Sequence, residues 1–315
     1  MRIVFMGTPE YAAISLRELL RSGHEVVLVL TQPDRERGRG KKVTFSPVKE
    51  AAIECGIPVF QPARIKDEDA VEYLKRFPAD IFVVAAFGQI LSKEILDIPP
   101  KGCVNVHASL LPKYRGAAPV QRAILDGEAI TGVTIMKMNE GLDTGDIISQ
   151  TQVSIAADDT GESLLKKLSV EGARLLVETL KDIEKGTARQ TPQDDSASSY
   201  AGLLKKEMGC LDFSKSAGEL DRVIRAYNPW PGAYTYLKGK MLKIWNAEPV
   251  DAHSVDIESD ASAGTIIDVS TDSFDILTAD GALRVFQLQI EGKRRMSTKE
   301  FLRGYRLEKN TVCGR

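Results

Sequence analysis

Short apolar runs alternate with amphipathic stretches through the first half of the chain. The runs are rich in β-branched residues, which is typical of strands, whereas the stretches between them repeat their apolar positions with helical spacing. The strand-like runs are IVFMG, VVLVLTQ, IFVVAA and GVTIMKM, and the helical stretches are 9–22, 47–55 and SKEIL. Strands that alternate with helices form βαβ units. We therefore predict an α/β fold with a Rossmann-like open, mostly parallel sheet and helices on both faces.

A longer helical pattern follows this region and ends in a polar segment. It begins near Asp159, where Glu162 is spaced to complete a capping box. The apolar stripe of this helix consists of Leu165, Leu168, Leu175, Leu176 and Ile183. From residue 186 the sequence GTARQTPQDDSASSYAGLLKK is polar, rich in small residues and without a period. We predict that 189–206 is a linker between domains.

The pattern of apolar positions changes beyond this segment. One helical stretch, 216–227, is followed by strand-like runs separated by turn residues. These runs are AYTYL, MLKIW, GTIIDV, SFDILT and ALRVFQLQ. Short strands at this spacing predict a small closed or half-closed β-barrel. The predicted domains are therefore 1–188 and 207–315, on either side of the linker.

Composition and charge narrow the class of protein. The chain has 315 residues, 43% of them hydrophobic, and a formal net charge of -2, which gives no overall attraction to nucleic acid or membranes. Its four cysteines and three histidines are too scattered for a zinc site or a disulfide framework, so we expect no metal. The first apolar run is too short for a secretory signal, and no stretch is apolar enough to span a membrane. We expect a cytoplasmic protein.

Candidate catalytic residues follow two of the predicted strands. Ligands bind at the carboxyl ends of the strands in open α/β sheets. Asn105 and His107 lie in NVH at the end of one strand, and Asp143 lies between two glycines in NEGLDTGDI after another. The first strand is followed by FMGTPEYA, which lacks the glycine spacing of a dinucleotide site and argues against a nicotinamide-dependent reductase.

These three side chains have complementary chemistry. An amide donates a hydrogen bond to a developing oxyanion, an imidazole takes up a proton near neutral pH, and a carboxylate orients the imidazole or accepts protons. This combination suits acyl transfer to an amine. The residues alone leave a structural role open, because a histidine at a strand end and an aspartate in a turn are common in proteins of any function. Ser109 is a still weaker candidate, as a nucleophile, since it lacks the GxSxG elbow.

Two longer motifs carry a family resemblance. The segments NVHASLLPKYRGAAPVQRAI and GVTIMKMNEGLDTGDI resemble the formyltransferases that use 10-formyltetrahydrofolate. The resemblance implies that Asn105, His107 and Asp143 form the catalytic triad. It also implies that the folate, a cosubstrate that donates the formyl group, lies against Phe87, Gly88, Ile90, Ser109, Leu110, Leu111 and Pro112.

The basic segment TQPDRERGRGKKVTFSPVK points to one branch of that family. It is similar to the loop that methionyl-tRNA formyltransferases insert against the acceptor end of initiator tRNA. The C-terminal half, with GCLDFSKSAGELDRVIRAYNPWPGAYT, is similar to their additional OB-like domain, which binds tRNA. The resemblance implies a monomeric enzyme with initiator methionyl-tRNA as partner. The expected tRNA contacts are Arg35, Arg37, Arg39, Lys41, Lys42, Lys205, Lys206, Lys293, Arg294 and Arg295.

Some positions depart from the family pattern, and other functions stay open. Phe87 stands where many relatives have tyrosine, Phe213 where tryptophan is common, and Lys137 where glutamine or an aromatic residue is usual. The nearest alternative is a formyltransferase that acts on a small amine, such as a UDP-linked amino sugar. A second alternative is a noncatalytic tRNA-binding protein on the same scaffold. The basic loop argues against the first alternative, and the intact triad argues against the second.

Overall fold

A computed structural model describes residues 1–37, 42–251 and 261–314, and the chain divides into two compact units. Unit 1 consists of Met1–Pro119, Ile130–Ser154 and Leu165–Ala201. Unit 2 consists of Val120–Ala129, Ile155–Leu164 and Gly202–Arg315. The change from unit 1 to unit 2 at residues 201 and 202 falls within the segment 189–206. The domain boundaries derived from the sequence stay a prediction.

The strands of unit 1 form a mostly parallel main sheet and shorter strand pairs. They are β1 (Arg2–Gly7), β2 (Glu25–Leu30), β3 (Arg35–Arg37), β4 (Lys42–Thr44), β5 (Val59–Phe60), β6 (Ile81–Ala85), β7 (Cys103–His107), β8 (Arg115–Gly116), β9 (Ile130–Lys137), β10 (Ile147–Ser154) and β11 (Tyr200–Ala201). The main sheet has the order β10-β9-β7-β6-β1-β2-β5. Neighbouring strands from β7 to β5 are parallel, whereas β9 runs antiparallel to both β7 and β10. The carboxyl ends of β1, β6 and β7 therefore meet at one edge.

The helices connect these strands and continue into unit 2. They are α1 (Glu10–Arg21), α2 (Pro47–Glu54), α3 (Glu68–Lys75), α4 (Lys93–Leu96), α5 (Pro119–Leu125), α6 (Gly161–Lys185), α7 (Ala217–Ala226) and α8 (Thr298–Gly304). Short 3-10 turns cover Asp195–Ala197 and Lys206–Gly209. Among these helices, none within the described residues combines the length and the apolar character needed to cross a membrane.

Both faces of the parallel sheet are covered, as predicted. Alternate side chains of β1, such as Val4 and Met6, pack in one cluster with Val71 and Leu74 of α3. On β7 and β9, Val106 and Val133 lie against α6 at Gly172, where an added Cβ would stand 3.1–3.2 Å from them. Burial on two faces explains why the strands read as nearly continuous apolar runs.

The long helix differs from its prediction in two details. It begins at Gly161, and its first turn is closed by Thr160 and Ser163: the Thr160 hydroxyl accepts from the Ser163 amide (3.1 Å) and the Ser163 hydroxyl accepts from the Thr160 amide (2.9 Å). The prediction that Glu162 completes the box was therefore wrong. The fully buried leucines of the stripe are Leu164, Leu168, Leu176 and Leu180, while Leu165, Leu175 and Ile183 lie half-buried beside it.

Unit 2 contains the β-domain that the C-terminal pattern predicts, and its strands pair antiparallel. Its strands are β12 (Ala233–Leu237), β13 (Lys240–Val250), β14 (Ile266–Val269), β15 (Phe274–Leu277), β16 (Ala282–Ile290) and β17 (Met296–Ser297). The sheet order is β12-β13-β16-β15-β14, with β17 beside β16. Val312 pairs with Thr265 next to β14, and Cys313 pairs with Leu237 at the end of β12. The last residues thus connect the two outer strands and close the barrel around a core that includes Phe274 and Leu288.

Candidate active site

Asn105 and His107 lie on the same side of β7. This strand runs between β6 and β9, and Asn105 is paired with Val84 on one side and Met136 on the other. Residues two apart in a strand point to the same face, so the amide and the imidazole project together near the carboxyl edge of the sheet. His107 is buried and Asn105 is half-buried.

Asp143 approaches His107 from the turn between β9 and β10. Its φ of +52° is a left-handed conformation that aspartate and asparagine tolerate better than most residues. The turn packs tightly on the end of β9, because a Cβ at Gly145 would stand 1.8 Å from the Lys137 carbonyl oxygen. Asp143 Oδ2 accepts a 2.8 Å hydrogen bond from the Gly116 amide and lies 3.7 Å from His107 Nδ1.

The contacts of His107 define which of its nitrogens faces the aspartate. Nε2 lies 3.0 Å from the Tyr114 carbonyl oxygen, which only accepts hydrogen bonds, so Nε2 carries a hydrogen. Nδ1 then faces Asp143 at a separation longer than a hydrogen bond but within ion-pair range. The side chains of His107 and Asp143 are 7% and 15% exposed. Charges on this pair would therefore interact more strongly than charges in bulk water.

Comparison with known proteins identifies the family. Residues 1–180 match formyl transferase, and residues 203–306 match the formyl transferase C-terminal domain. The chain belongs to the formyl transferase family. It is 50% identical over 311 residues to the methionyl-tRNA formyltransferase of Agathobacter rectalis, with 99% of both chains covered. It is 50% identical over 314 residues to the methionyl-tRNA formyltransferase of Lachnospira eligens, with both chains covered completely.

A solved structure supports the fold of this formyl transferase. The N-formyltransferase from Helicobacter canadensis, in complex with folinic acid and dTDP-3-aminofucose, is similar with a TM-score of 0.67 at 21% identity. The similarity covers 93% of this chain and 99% of that one. The family predicted from the motifs around His107 and Asp143 and the fold predicted from the hydrophobic pattern are therefore confirmed.

Hydrogen bonds of the SLLP segment with Lys113, β9 and β10 hold this segment in place. The Ser109 hydroxyl donates to the Lys113 carbonyl oxygen (2.6 Å), and the Thr134 hydroxyl donates to the Ser109 carbonyl oxygen (2.7 Å). The Leu111 amide donates to Thr134 Oγ1 (3.1 Å), and Gln150 donates to the Leu111 carbonyl oxygen (2.8 Å). The Ser109 hydroxyl thus supports the loop. The proposed contact of this segment, Ser109 to Pro112, with folate stays a prediction.

The other predicted folate residues differ in their accessibility. The Phe87 ring is buried in the core cluster with α3 and α4, and its carbonyl oxygen accepts from Thr8 (3.2 Å) and Gln32 (3.1 Å). Gly88 follows with a φ of +84°, and Ile90 is 81% exposed. Ile90 is therefore accessible to a ligand, whereas the Phe87 ring is not, and the contact of these residues with folate stays a prediction.

The predicted tRNA contacts lie on two parts of the formyl transferase. The backbones of Arg35, Arg37 and Lys42 lie in the β3–β4 hairpin, whereas Arg39 and Lys41 fall outside the described residues. On unit 2, Lys205, Lys206, Lys293, Arg294 and Arg295 are exposed. The Arg295 guanidinium lies 5.0 Å from the ring centroid of Trp245, and Arg294 pairs with Glu300 at 3.0 Å. Their role in tRNA binding stays a prediction.

A polar network holds the base of the β3–β4 hairpin. Lys49 Nζ donates to Asp34 Oδ2 and to Gln61 Oε1 (2.8 Å), and it lies 4.0 Å from the Phe45 ring centroid. Gln61 Nε2 in turn donates to Asp34 Oδ1 and to the Gln32 carbonyl oxygen, both at 2.9 Å. The hydrogen bond from Lys49 lowers the pKa of Asp34 below its usual value. The base of the hairpin is thus fixed by groups on both sides of it.

Sequence reasoning missed the contribution of the segment 191–201. Gln193 and Ser199 hydrogen-bond to the loops that carry Tyr114 and Asp143. Both residues lie in the stretch that the composition marks as a linker. Nothing in its polar, aperiodic sequence distinguishes these side chains from their neighbours, so the contacts became visible only in the folded chain.

Proposed function

We propose that this chain transfers the formyl group of 10-formyltetrahydrofolate to the α-amino group of initiator methionyl-tRNA, in the cytoplasm. The observation that carries the proposal is the full-length similarity, at 50% identity, to two proteins named methionyl-tRNA formyltransferase. Family membership supports the transfer of a formyl group. The folinic acid bound by the Helicobacter canadensis protein supports a folate donor.

The proposed reaction forms one carbon–nitrogen bond and breaks another. The neutral amine of the methionyl ester attacks the formyl carbon on N10 of the folate and gives a tetrahedral oxyanion. Collapse of this intermediate breaks the bond to N10, while one proton passes from the attacking amine to the leaving nitrogen. The products are N-formylmethionyl-tRNA and tetrahydrofolate.

Asn105 and His107 are suited to stabilise the oxyanion. Both project from one face of β7, so an oxygen placed over the strand meets two hydrogen-bond donors. His107 Nδ1 lies 3.7 Å from Asp143, which is longer than a hydrogen bond, so a hydrogen on Nδ1 is available to a ligand oxygen. The charged imidazole stabilises the negative oxygen more strongly than a neutral donor does.

Asp143 is suited to orient the imidazole and to pass protons. Its Oδ2 is oriented by the Gly116 amide. In the proposal, a water beside Asp143 carries the proton from the attacking amine to N10. Binding of both substrates at this edge makes the attack effectively intramolecular, which lowers the barrier further.

The acceptor is the part of the proposal that a direct assay tests. We would measure transfer from 10-formyltetrahydrofolate to initiator methionyl-tRNA, elongator methionyl-tRNA and a UDP-linked amino sugar in parallel. We expect formylation of the initiator species at a rate at least 100-fold above the other two. Transfer to the sugar alone would show that the acceptor is a small amine and not tRNA. Saturable tRNA binding without any folate-dependent product would favour a noncatalytic binding protein.

A further inference from the structure

Residues 191–201 lie along the loop of Tyr114 to Gly116, which contacts the His107–Asp143 pair, and along the turn that carries Asp143. Thr191 and Ile147 exchange two backbone hydrogen bonds of 2.9 Å, directly after the Asp143 turn. At the other end, the Arg115 amide donates to the Ser199 carbonyl oxygen (2.9 Å) and β11 pairs with β8. All of these residues belong to unit 1. The segment therefore has a fixed place beside the site, although its composition is that of a linker.

The Gln193 side chain connects the two loops. Its Nε2 donates to the Asp143 carbonyl oxygen (2.9 Å) and to the Gly145 carbonyl oxygen (2.7 Å). Its Oε1 accepts from Arg115 Nε (3.1 Å) and Nη2 (2.9 Å). We call these four contacts the Gln193 bridge. One amide group thus binds the backbone of the Asp143 turn on one side and a guanidinium on the other.

Arg115 connects this bridge to the remaining contacts of the pair. It lies between Tyr114, whose carbonyl oxygen binds His107 Nε2, and Gly116, whose amide binds Asp143 Oδ2. Its side chain is 11% exposed, and Nη2 also pairs with Asp195 at 2.8 Å. The guanidinium is therefore held in place, and the bridge ties the position of the Asp143 backbone to the loop that orients both members of the pair.

The bridge requires the chemistry of a primary amide. A glutamine offers two donors on nitrogen and an acceptor on oxygen, and this position uses both kinds of group. A glutamate of the same shape would accept from Arg115 but would face two carbonyl oxygens with no donor. A methionine of similar size would make neither set of bonds. Such support matters at Asp143 because its left-handed backbone, although aspartate tolerates it better than most residues, is still less favourable than a right-handed one.

We infer that Gln193 is a positioning residue for the transfer step. It acts through Asp143, whose carboxylate it holds at the distance from His107 that the reaction needs. The inference rests on the proposed catalytic role of Asp143. Because all four contacts of the bridge go to backbone or to Arg115, its loss should slow the chemical step without weakening the binding of either substrate.

Steady-state kinetics of Gln193→Met and Gln193→Glu test this role. We expect kcat to fall about 10- to 100-fold, the loss that a misplacement of about 1 Å causes, while KM for each substrate changes less than threefold. Gln190→Met is the matched control, since it makes the same change at an exposed glutamine of the same stretch and should keep the normal kcat. Gln193→Glu keeps the shape and polarity of the side chain and serves if the methionine variant does not fold.

A double mutant distinguishes a positioning role of Gln193 from a general effect on the fold. If Gln193 acts through Asp143, then Gln193→Met added to Asp143→Asn should lower kcat less than threefold further. Additive losses, a kcat within twofold of normal in both Gln193 variants, or equal increases in both KM values would overturn the inference. A slow Asp143→Asn beside a normal Gln193→Met would refute the inference alone. A normal Asp143→Asn would refute the proposed role of Asp143 and the inference with it.

Discussion

Asp143 is constrained twice, by its charge and by its backbone. The φ of +52° restricts the position to residues that tolerate the left-handed region, and asparagine is one of them. Asparagine also keeps an oxygen that accepts from the Gly116 amide. The change Asp143→Asn therefore removes the charge and little else.

We expect Asp143→Asn to lower kcat by about 10² to 10⁴-fold, the usual loss for a group that takes part in proton transfer. KM for both substrates and the melting temperature should stay close to normal. Asp146→Asn, the same change in the same turn, is the control. A kcat within threefold of normal for Asp143→Asn would remove this residue from the mechanism.

The four cysteines differ in reactivity because of where each lies. Burial raises the pKa of Cys103 and Cys313 to about 12, whereas Cys55 and Cys210 are exposed. The thiolate is the reactive form, so the buried pair should resist labelling at pH 8. We expect a thiol reagent to modify two cysteines rapidly in the folded protein and four in denaturant. Rapid modification of Cys103 in the native state, detected by peptide mapping, would contradict the burial.

At the scale of the element, α2 depends on its N-cap. The Ser46 hydroxyl accepts from the Lys49 amide (3.1 Å) and shares a 2.7 Å hydrogen bond with Thr31, which is fully buried. Ser46→Ala removes both bonds and should lower the free energy of unfolding by about 1–2 kcal/mol. Ser92→Ala is the matched control, because the side chain of this N-cap residue in α4 makes no capping bond. Urea unfolding should separate the two variants, and equal stabilities would disprove the role of the cap.

The base of the β3–β4 hairpin should weaken in acid. The pKa of Asp34 is lowered in the folded chain, chiefly by the hydrogen bond from Lys49. A lowered pKa means that the group contributes stability above its unfolded value and loses that contribution as the pH falls through the folded value. We expect the stability difference between the normal chain and Asp34→Asn to be largest near pH 6 and to shrink towards pH 3. Urea unfolding at both values measures it, and a difference that grows in acid would contradict the contact.

At the scale of the whole molecule, positive charge acts through local clusters and not through the net charge. The net charge of -2 gives little long-range attraction to tRNA, so any dependence on salt must come from clusters such as Lys205 with Lys206. If both lysines contact phosphates, changing them to alanine should reduce the slope of log(kcat/KM) for tRNA against log salt by about one to two. Lys185→Ala, an exposed lysine of α6, is the control. An unchanged slope would leave these lysines as solvated surface.

Some features of this molecule could be predicted from the sequence and others could not, for physical reasons. Apolar periodicity reports which faces are buried, so the βαβ alternation and the short C-terminal strands could be predicted. The motif around Asn105 and His107 identified the family because its side chains are distinctive. The Tyr114 carbonyl and the Gly116 amide could not be predicted, since every residue carries such groups. The polar residues near Asp159 had similar capping potential in the sequence; in the folded chain Thr160 and Ser163 form the cap, while the Asp159 carboxylate accepts from the Ala156 amide and the Ser163 hydroxyl.

The closure of the barrel also determines how the chain tolerates shortening. Backbone groups of 310–314 bond to Gly264, Ile266 and Tyr236, so this segment occupies the hydrogen-bonding groups of both outer strands. Its removal would leave two open edges, and exposed edges recruit strands from other molecules. We therefore expect a chain cut after residue 308 to aggregate, although every residue around His107 is retained. A synthetic peptide of the missing sequence, added during refolding, should restore a dispersed protein.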